Sequence, residues 1–190
     1  VRKLLLKLFQ TICETLENES RSFPISIYSK TQMGMAKTNL LKQWLQSTDG
    51  DIFLAAEDDQ QRLPLICKAY RQCVGNGDEW LDDAALADLA SMWLLGRTVN
   101  DMCNELKSHH TFKPRKGPNV HRVESALSYD ISYELANFIS CIADLLEPVL
   151  GDRVPTNLQE SLLLLYEKIK FGISTPLGCV ISQEIFADRM

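Results

Sequence analysis

The chain has 190 residues, 45% of them hydrophobic and 24% charged, with a formal charge of −5. A chain of that size can bury roughly 70% of its unfolded surface, so the composition excludes disorder for the bulk of it. Cys13, Cys67, Cys73, Cys103, Cys141 and Cys179 include no Cys-x-x-Cys pair. They read as reduced core thiols of a cytoplasmic protein rather than a disulfide framework.

The pattern predicts helices nearly throughout. Residues 2–18 carry Leu5, Leu8, Ile12 and Leu16 on one face. The chain opens at Val1 already inside that pattern, with no capping residue before it. This reads as a fragment or the product of an unusual start codon, with removal of an initiator methionine as the alternative. Residues 20–35 are expected as a loop, in which Ile25 and Ile27 would suit a short strand. A helix over 36–47 follows, with Leu40, Leu41, Trp44 and Leu45 apolar. Further helices are expected over 51–57 and 60–74, with Pro64 a break unless the helix starts near it.

Gly75-Asn76-Gly77-Asp78 is a turn signal. Beyond it Ala85, Leu89, Met92, Gly96, Val99, Cys103 and Leu106 step by alternating fours and threes. That 3.5-residue seam predicts one long helix over 80–108 packed along a neighbour. Ile131, Leu135, Phe138, Ile142, Leu145 and Val149 repeat the spacing and predict its antiparallel partner over 123–147. Leu158, Leu162, Leu165 and Ile169 predict a helix over 157–171, made central by Leu163 and Leu164. One more short helix is expected after Pro176. The expected fold is all-α, a bundle of about six to eight helices with a long antiparallel pair. It is either one domain over 1–190 or two packed lobes, about 1–75 and 76–190. No segment is long and apolar enough to span a bilayer, and no signal peptide is visible.

Catalytic and metal patterns are missing. Cys103, His109, His110 and His121 match no zinc spacing. The paired acids at 57–59, 78–79 and 82–83 sit at helix starts, where carboxylates cap and complement the dipole. There is no phosphate-binding Gly-rich loop, nucleophile elbow or His-Glu-x-x-His. The expectation is a chain that is not an enzyme, with no metal and no cofactor. Trp44, Trp80 and Trp93 are expected as core or lobe-interface anchors.

Residues 106–123 hold all three histidines and five of the 20 Lys/Arg, with no Asp or Glu. Residues 20–48 carry Arg21, Lys30, Lys37 and Lys42, again without an acid. Such acid-free stretches suit a phosphate backbone, whose condensed counterions fixed cations release. An acidic protein surface or plain solvation would also account for them. Phe112 lies within the first stretch, either as a stacking group or tucked into the bundle.

An opening at Val1-Arg2-Lys3-Leu4 inside a helical pattern, helices from end to end, and an acid-free loop from Lys107 to Arg122 between two long helices together resemble a known family. They are similar to the helical small subunits of type I CRISPR effector (Cascade) complexes. Among these the chain most resembles the C-terminal helical region of the type I-D large subunit, which is also made separately from an internal start. The resemblance implies a non-catalytic small subunit of a cytoplasmic antiviral ribonucleoprotein. It would contact the backbone of guide RNA and target nucleic acid without reading sequence, since guide pairing supplies that information. Large and backbone subunits, and further copies of itself, would be its partners, with no membrane role. Lys107, His109, His110, Lys113, Arg115, Lys116 and Arg122 would carry the contacts, with Arg21, Lys37 and Lys42 as a second patch. The competing class is a helical adaptor or regulatory protein-interaction module with no nucleic-acid role. A helix-turn-helix regulator is a third reading, without a basic recognition helix to support it.

Overall fold

The computed structural model describes Leu8, Thr11, Ile12 and residues 25–75 and 77–172, with only the backbone described over 25–33. Among the described residues there are seven helices and no strand. They are α1 (Ile25–Leu45), α2 (Thr48–Ala55), α3 (Asp59–Val74), α4 (Asp83–Leu94), α5 (Val99–His109), a composite α6, and α7 (Leu158–Phe171). Helix α6 runs through Val120–Ala126, a π-helical stretch Leu127–Leu135, and Ala136–Leu150. The all-α bundle expected from periodicity is thus the fold. The expected helix over 2–18 lies mostly outside the described residues, where Leu8, Thr11 and Ile12 are helical. The expected tail helix after Pro176 lies wholly outside them.

The helix starts follow capping chemistry. Asp58 and Asp82 side chains accept from the amides of Gln61 and Ala85, each at 2.8 Å. Thr98 and Asn119 do the same for α5 and α6. Each cap satisfies an amide that the first turn leaves without a partner, worth about 1 kcal/mol. Two of the acidic pairs read from the sequence as boundary groups therefore contribute caps.

Four expectations need correction. The segment 80–108 is two helices, not one. Gly96, at φ 68°, sits past the end of α4 in the left-handed conformation. The amides of Gly96 and Arg97 turn back to the carbonyls of Trp93 and Met92, at 3.2 and 3.1 Å. This is the glycine-terminated stop that closes many helices, and Thr98 restarts the chain two residues on. The seam residues on either side are still largely buried, because α4 and α5 each face the core. Second, the expected loop and strand over 20–35 are helical from Ile25 onward, interrupted at Gly34 by non-helical φ and ψ of 67° and 164°. Third, Pro64 neither breaks nor starts α3, which runs through it at the loss of one backbone hydrogen bond. Fourth, α7 is not central. It buries the stripe Leu158, Leu162, Leu165 and Ile169, but Leu163 is 36% exposed and Leu164 51%. Leu163 follows Leu162 and Leu164 precedes Leu165, so each is turned about 100° round the helix from its neighbour in the stripe.

The core is continuous from Leu41 to Ile169. The C-terminal stretch of α6 packs against both α7 and α1, and α3 packs against α4. Trp44 meets Phe53 with centroids 5.4 Å apart, and Tyr70 meets Phe138 edge-on at the same distance. Trp44 and Trp80 are buried, and the partly buried Trp93 donates from Nε1 to the Ile169 carbonyl at 2.8 Å. Cys67, Cys73, Cys103 and Cys141 are buried. Burial pushes the Cys73 thiol up to about 11 and raises that of Cys67 further still. Among the described residues no helix is long and apolar enough to cross a membrane.

Candidate nucleic-acid interface

The basic stretch forms the end of α5, the loop 110–119 and the start of α6. Leu106 and Val123, both fully buried, fix the two arms in the core. Phe112 is partly buried against that core, and its ring lies 6.1 Å from that of His110. Gly117 crosses it so closely that a Cβ there would stand 3.1 Å from Phe112 Cβ. Phe112 is therefore a loop anchor packed on the bundle rather than a displayed stacking group.

Beyond Phe112 the chain turns through Lys113-Pro114-Arg115-Lys116, with the Lys116 amide donating to the Lys113 carbonyl at 3.0 Å. Proline at the second position presets φ, and the third residue, Arg115, has φ 62°. That position ordinarily takes glycine, since a Cβ in the left-handed region costs about 1–2 kcal/mol. Here it displays an exposed guanidinium. Arg122 braces the turn from α6, its Nη1 donating to the Gly117 carbonyl at 2.8 Å and the Arg115 carbonyl at 3.3 Å.

The remaining cations divide by their neighbours. Lys113 and Lys116 both approach Glu79 Oε2, at 3.6 and 3.1 Å. The Lys116 hydrogen bond and the two lysine charges hold the Glu79 carboxyl below its ordinary range. His110 Nε2 donates to Asp88 Oδ2 at 2.6 Å, and His109 Nδ1 lies 3.7 Å from the same oxygen. Lys107 and Arg115 are exposed and form no ion pair among the described residues. His121 is exposed one position into α6. A concavity of about 580 Å³ opens on one side of the loop, walled by Lys107, His110, Phe112, Lys113, Arg115 and Arg122. A second, of about 420 Å³, lies between the loop and residues 77–82.

The second patch does not join this surface. Lys37 and Lys42 are exposed on α1, which packs on α3 and the C-terminal stretch of α6. Neither shares a hydrogen bond, ion pair or cavity wall with the loop among the described residues. Arg21 lies outside the described residues. No group of three His, Cys, Asp or Glu among the described residues is placed to hold a metal ion.

Sequence reasoning misses Glu79 and Asp88 as members of this surface, although acids gather visibly over 78–88. The break at Gly96 is the signal. It turns one long helix into a hairpin with arms of 12 and 11 residues. With α4 folded back on α5, Asp88 in the middle of α4 meets His109 and His110, and Glu79 ahead of α4 meets Lys113 and Lys116. Two exposed tyrosines are also missed. Tyr129 and Tyr133 stack with centroids 6.0 Å apart on the π-helical stretch of α6. A four-residue spacing places both on one face.

Comparison with protein-family models, curated proteins and solved structures finds no match to the chain.

Proposed function

We propose that the chain is a non-catalytic nucleic-acid-binding subunit whose 106–123 loop contacts phosphate backbone, as the small subunit of a cytoplasmic type I CRISPR effector complex would. The observation that carries the backbone contact is Arg115. An arginine occupies a left-handed turn position suited to glycine and lines the same concavity as Lys107, which forms no ion pair among the described residues. Strain held by a proline, a brace from Arg122 and the anchor of Phe112 supports a displayed cation with a task. Sequence-neutral contact suits cations displayed on a turn, where no recognition helix carries them into a groove to reach base edges. The assignment to a Cascade-type complex rests on the resemblance of an all-helical chain with an acid-free basic loop, the expected long helix before that loop being two short ones; guide and target backbone and the large and backbone subunits would be its neighbours.

The test is a salt titration of binding of a fluorescein-labelled mixed-sequence single strand by the full chain. Changing Lys113, Arg115 and Lys116 together to alanine is expected to weaken binding about equally for every sequence. The slope of log affinity against log salt should fall by about 0.7 for each phosphate no longer neutralised. Changing Lys37 and Lys42 to alanine measures the second patch separately. Unchanged affinity and slope in the loop variant, with loss of a protein neighbour instead, would establish the adaptor reading. That reading draws on Glu79 and Asp88, which already occupy part of the loop's charge, and on Leu164 and Phe171, exposed on α7.

A further inference from the structure

The loop's two most closely spaced lysines are already engaged by an anion. Lys113 and Lys116 converge on one oxygen of one carboxylate, Glu79 Oε2, from 3.6 and 3.1 Å. Two ammonium groups meeting at a single oxygen is also how a phosphate oxygen would be held. Glu79 is not placed there by its own side chain alone. Its neighbours Trp80 and Leu81 are buried, 6% and 2% exposed, and pin the segment to the core. Arg71, itself buried, ties the same segment to α3 by donating to the carbonyls of Leu81 and Gly75. The loop is held from the other side by Phe112 and Arg122. Both partners of the contact therefore sit on anchored backbone, while all three charged groups remain more than half exposed.

Resting on the phosphate-binding reading above, we infer that Glu79 is a built-in competitor for phosphate, which occupies Lys113 and Lys116 in the free protein and must be exchanged for the ligand. It keeps the two ammonium groups together and attenuates the loop's affinity at the same time. An exposed ion pair is easily exchanged, since such pairs hold by little and are screened by salt. The depressed protonation of Glu79 agrees with a carboxylate that remains charged, and so remains a competitor, throughout the neutral range. Glu79, Lys113 and Lys116 all border the 420 Å³ concavity between residues 77–82 and the loop, so an incoming phosphate can reach the two ammonium groups from that side. The fold holds back part of the loop's charge until a polyanion outcompetes it.

Glu79→Gln removes the competing charge and keeps the shape. In full-length protein, with a labelled mixed-sequence single strand as probe, it is expected to tighten binding about two- to five-fold at low salt. The salt slope should steepen by up to about 0.7, one additional neutralised phosphate on a single strand. Glu57→Gln, an exposed carboxylate without an ion pair among the described residues, controls for net charge and should change neither. Equal tightening by both variants overturns the inference, because net charge would then be the cause. No change in Glu79→Gln, with binding lost in the loop triple variant, overturns it while the phosphate site stands. Weaker binding by Glu79→Gln also overturns it, since Glu79 would then only position the loop. If neither Glu79→Gln nor the triple variant alters binding, the phosphate site itself falls and the inference with it.

Discussion

The two acid-free stretches carry similar charge in the sequence and meet different fates in the fold. Over 106–123 the cations end a helix, round a turn and begin another, and four of the basic groups find a carboxylate. Lys113 and Lys116 share Glu79, and His109 and His110 share Asp88. Over the described part of 20–48 the chain is helical, and Lys37 and Lys42 point outward without an ion pair among the described residues. Absence of acids along a segment therefore does not mean absence of acids around it. The loop's charge is positioned and partly neutralised by another part of the chain, whereas the lysines of α1 are set by helix geometry alone.

The largest difference between the two stretches lies beneath them. Leu106 is fully buried at the end of α5, under the loop, whereas Leu40 on α1 is 45% exposed. Leu106→Ala is expected to lose about 2–5 kcal/mol through reduced burial and a residual cavity. Leu40→Ala should remain within about 0.5 kcal/mol. Urea denaturation of both variants measures the difference. Equal losses would show that the loop does not depend on the core in the way described.

A smaller effect of opposite sign is expected at the turn. Arg115→Gly relieves a left-handed backbone at a residue whose charge makes no ion pair among the described residues. Stability should rise by about 0.5–1 kcal/mol, after allowance for the greater freedom of glycine in the unfolded chain. Nucleic-acid affinity should fall in the same variant. A gain in stability without a loss in affinity would make the strain incidental to binding.

The smallest effect sharpens the contrast by pH. Glu79 has a folded-state value below the ordinary 4.5, chiefly through its hydrogen bond with Lys116 and the charge of Lys113. A depressed carboxylate contributes stability that is present above its unfolded value and lost as pH falls through the folded one. The stability difference between the native chain and Glu79→Gln should therefore be constant at neutral pH. It should vanish as pH drops below 4.5 through the depressed value. Thermal melts of the two proteins across that range give the result. The pair Lys37→Ala and Lys42→Ala should show no corresponding pH-dependent difference.

Particular residues show how far the sequence can be read. The stripe Leu158, Leu162, Leu165 and Ile169 specifies both a helix and its buried face. The acids at 58 and 82 read as boundary groups and are caps. Gly96 reads as one position of a seam and is a helix stop, because a period of 3.5 accommodates a glycine without registering its backbone conformation. The difference matters. A straight 80–108 helix would carry residues 78–88 far from the loop, and the hairpin brings them together.

Sequence alone determined the helical class, most helix boundaries, the buried stripes and the location of the basic loop. Each of these depends on residues within three or four positions of one another, where side-chain period and backbone capping act directly. Only the tertiary structure decided which charges meet. Lys116 and Glu79 are 37 residues apart, and His110 and Asp88 are 22 apart. Their contact follows from the packing of α4 against α5, which no local pattern encodes. The same packing leaves Phe112 partly buried against the core and Arg115 and Lys107 exposed, because burying a ring removes apolar surface from water whereas burying an unpaired cation forfeits its hydration.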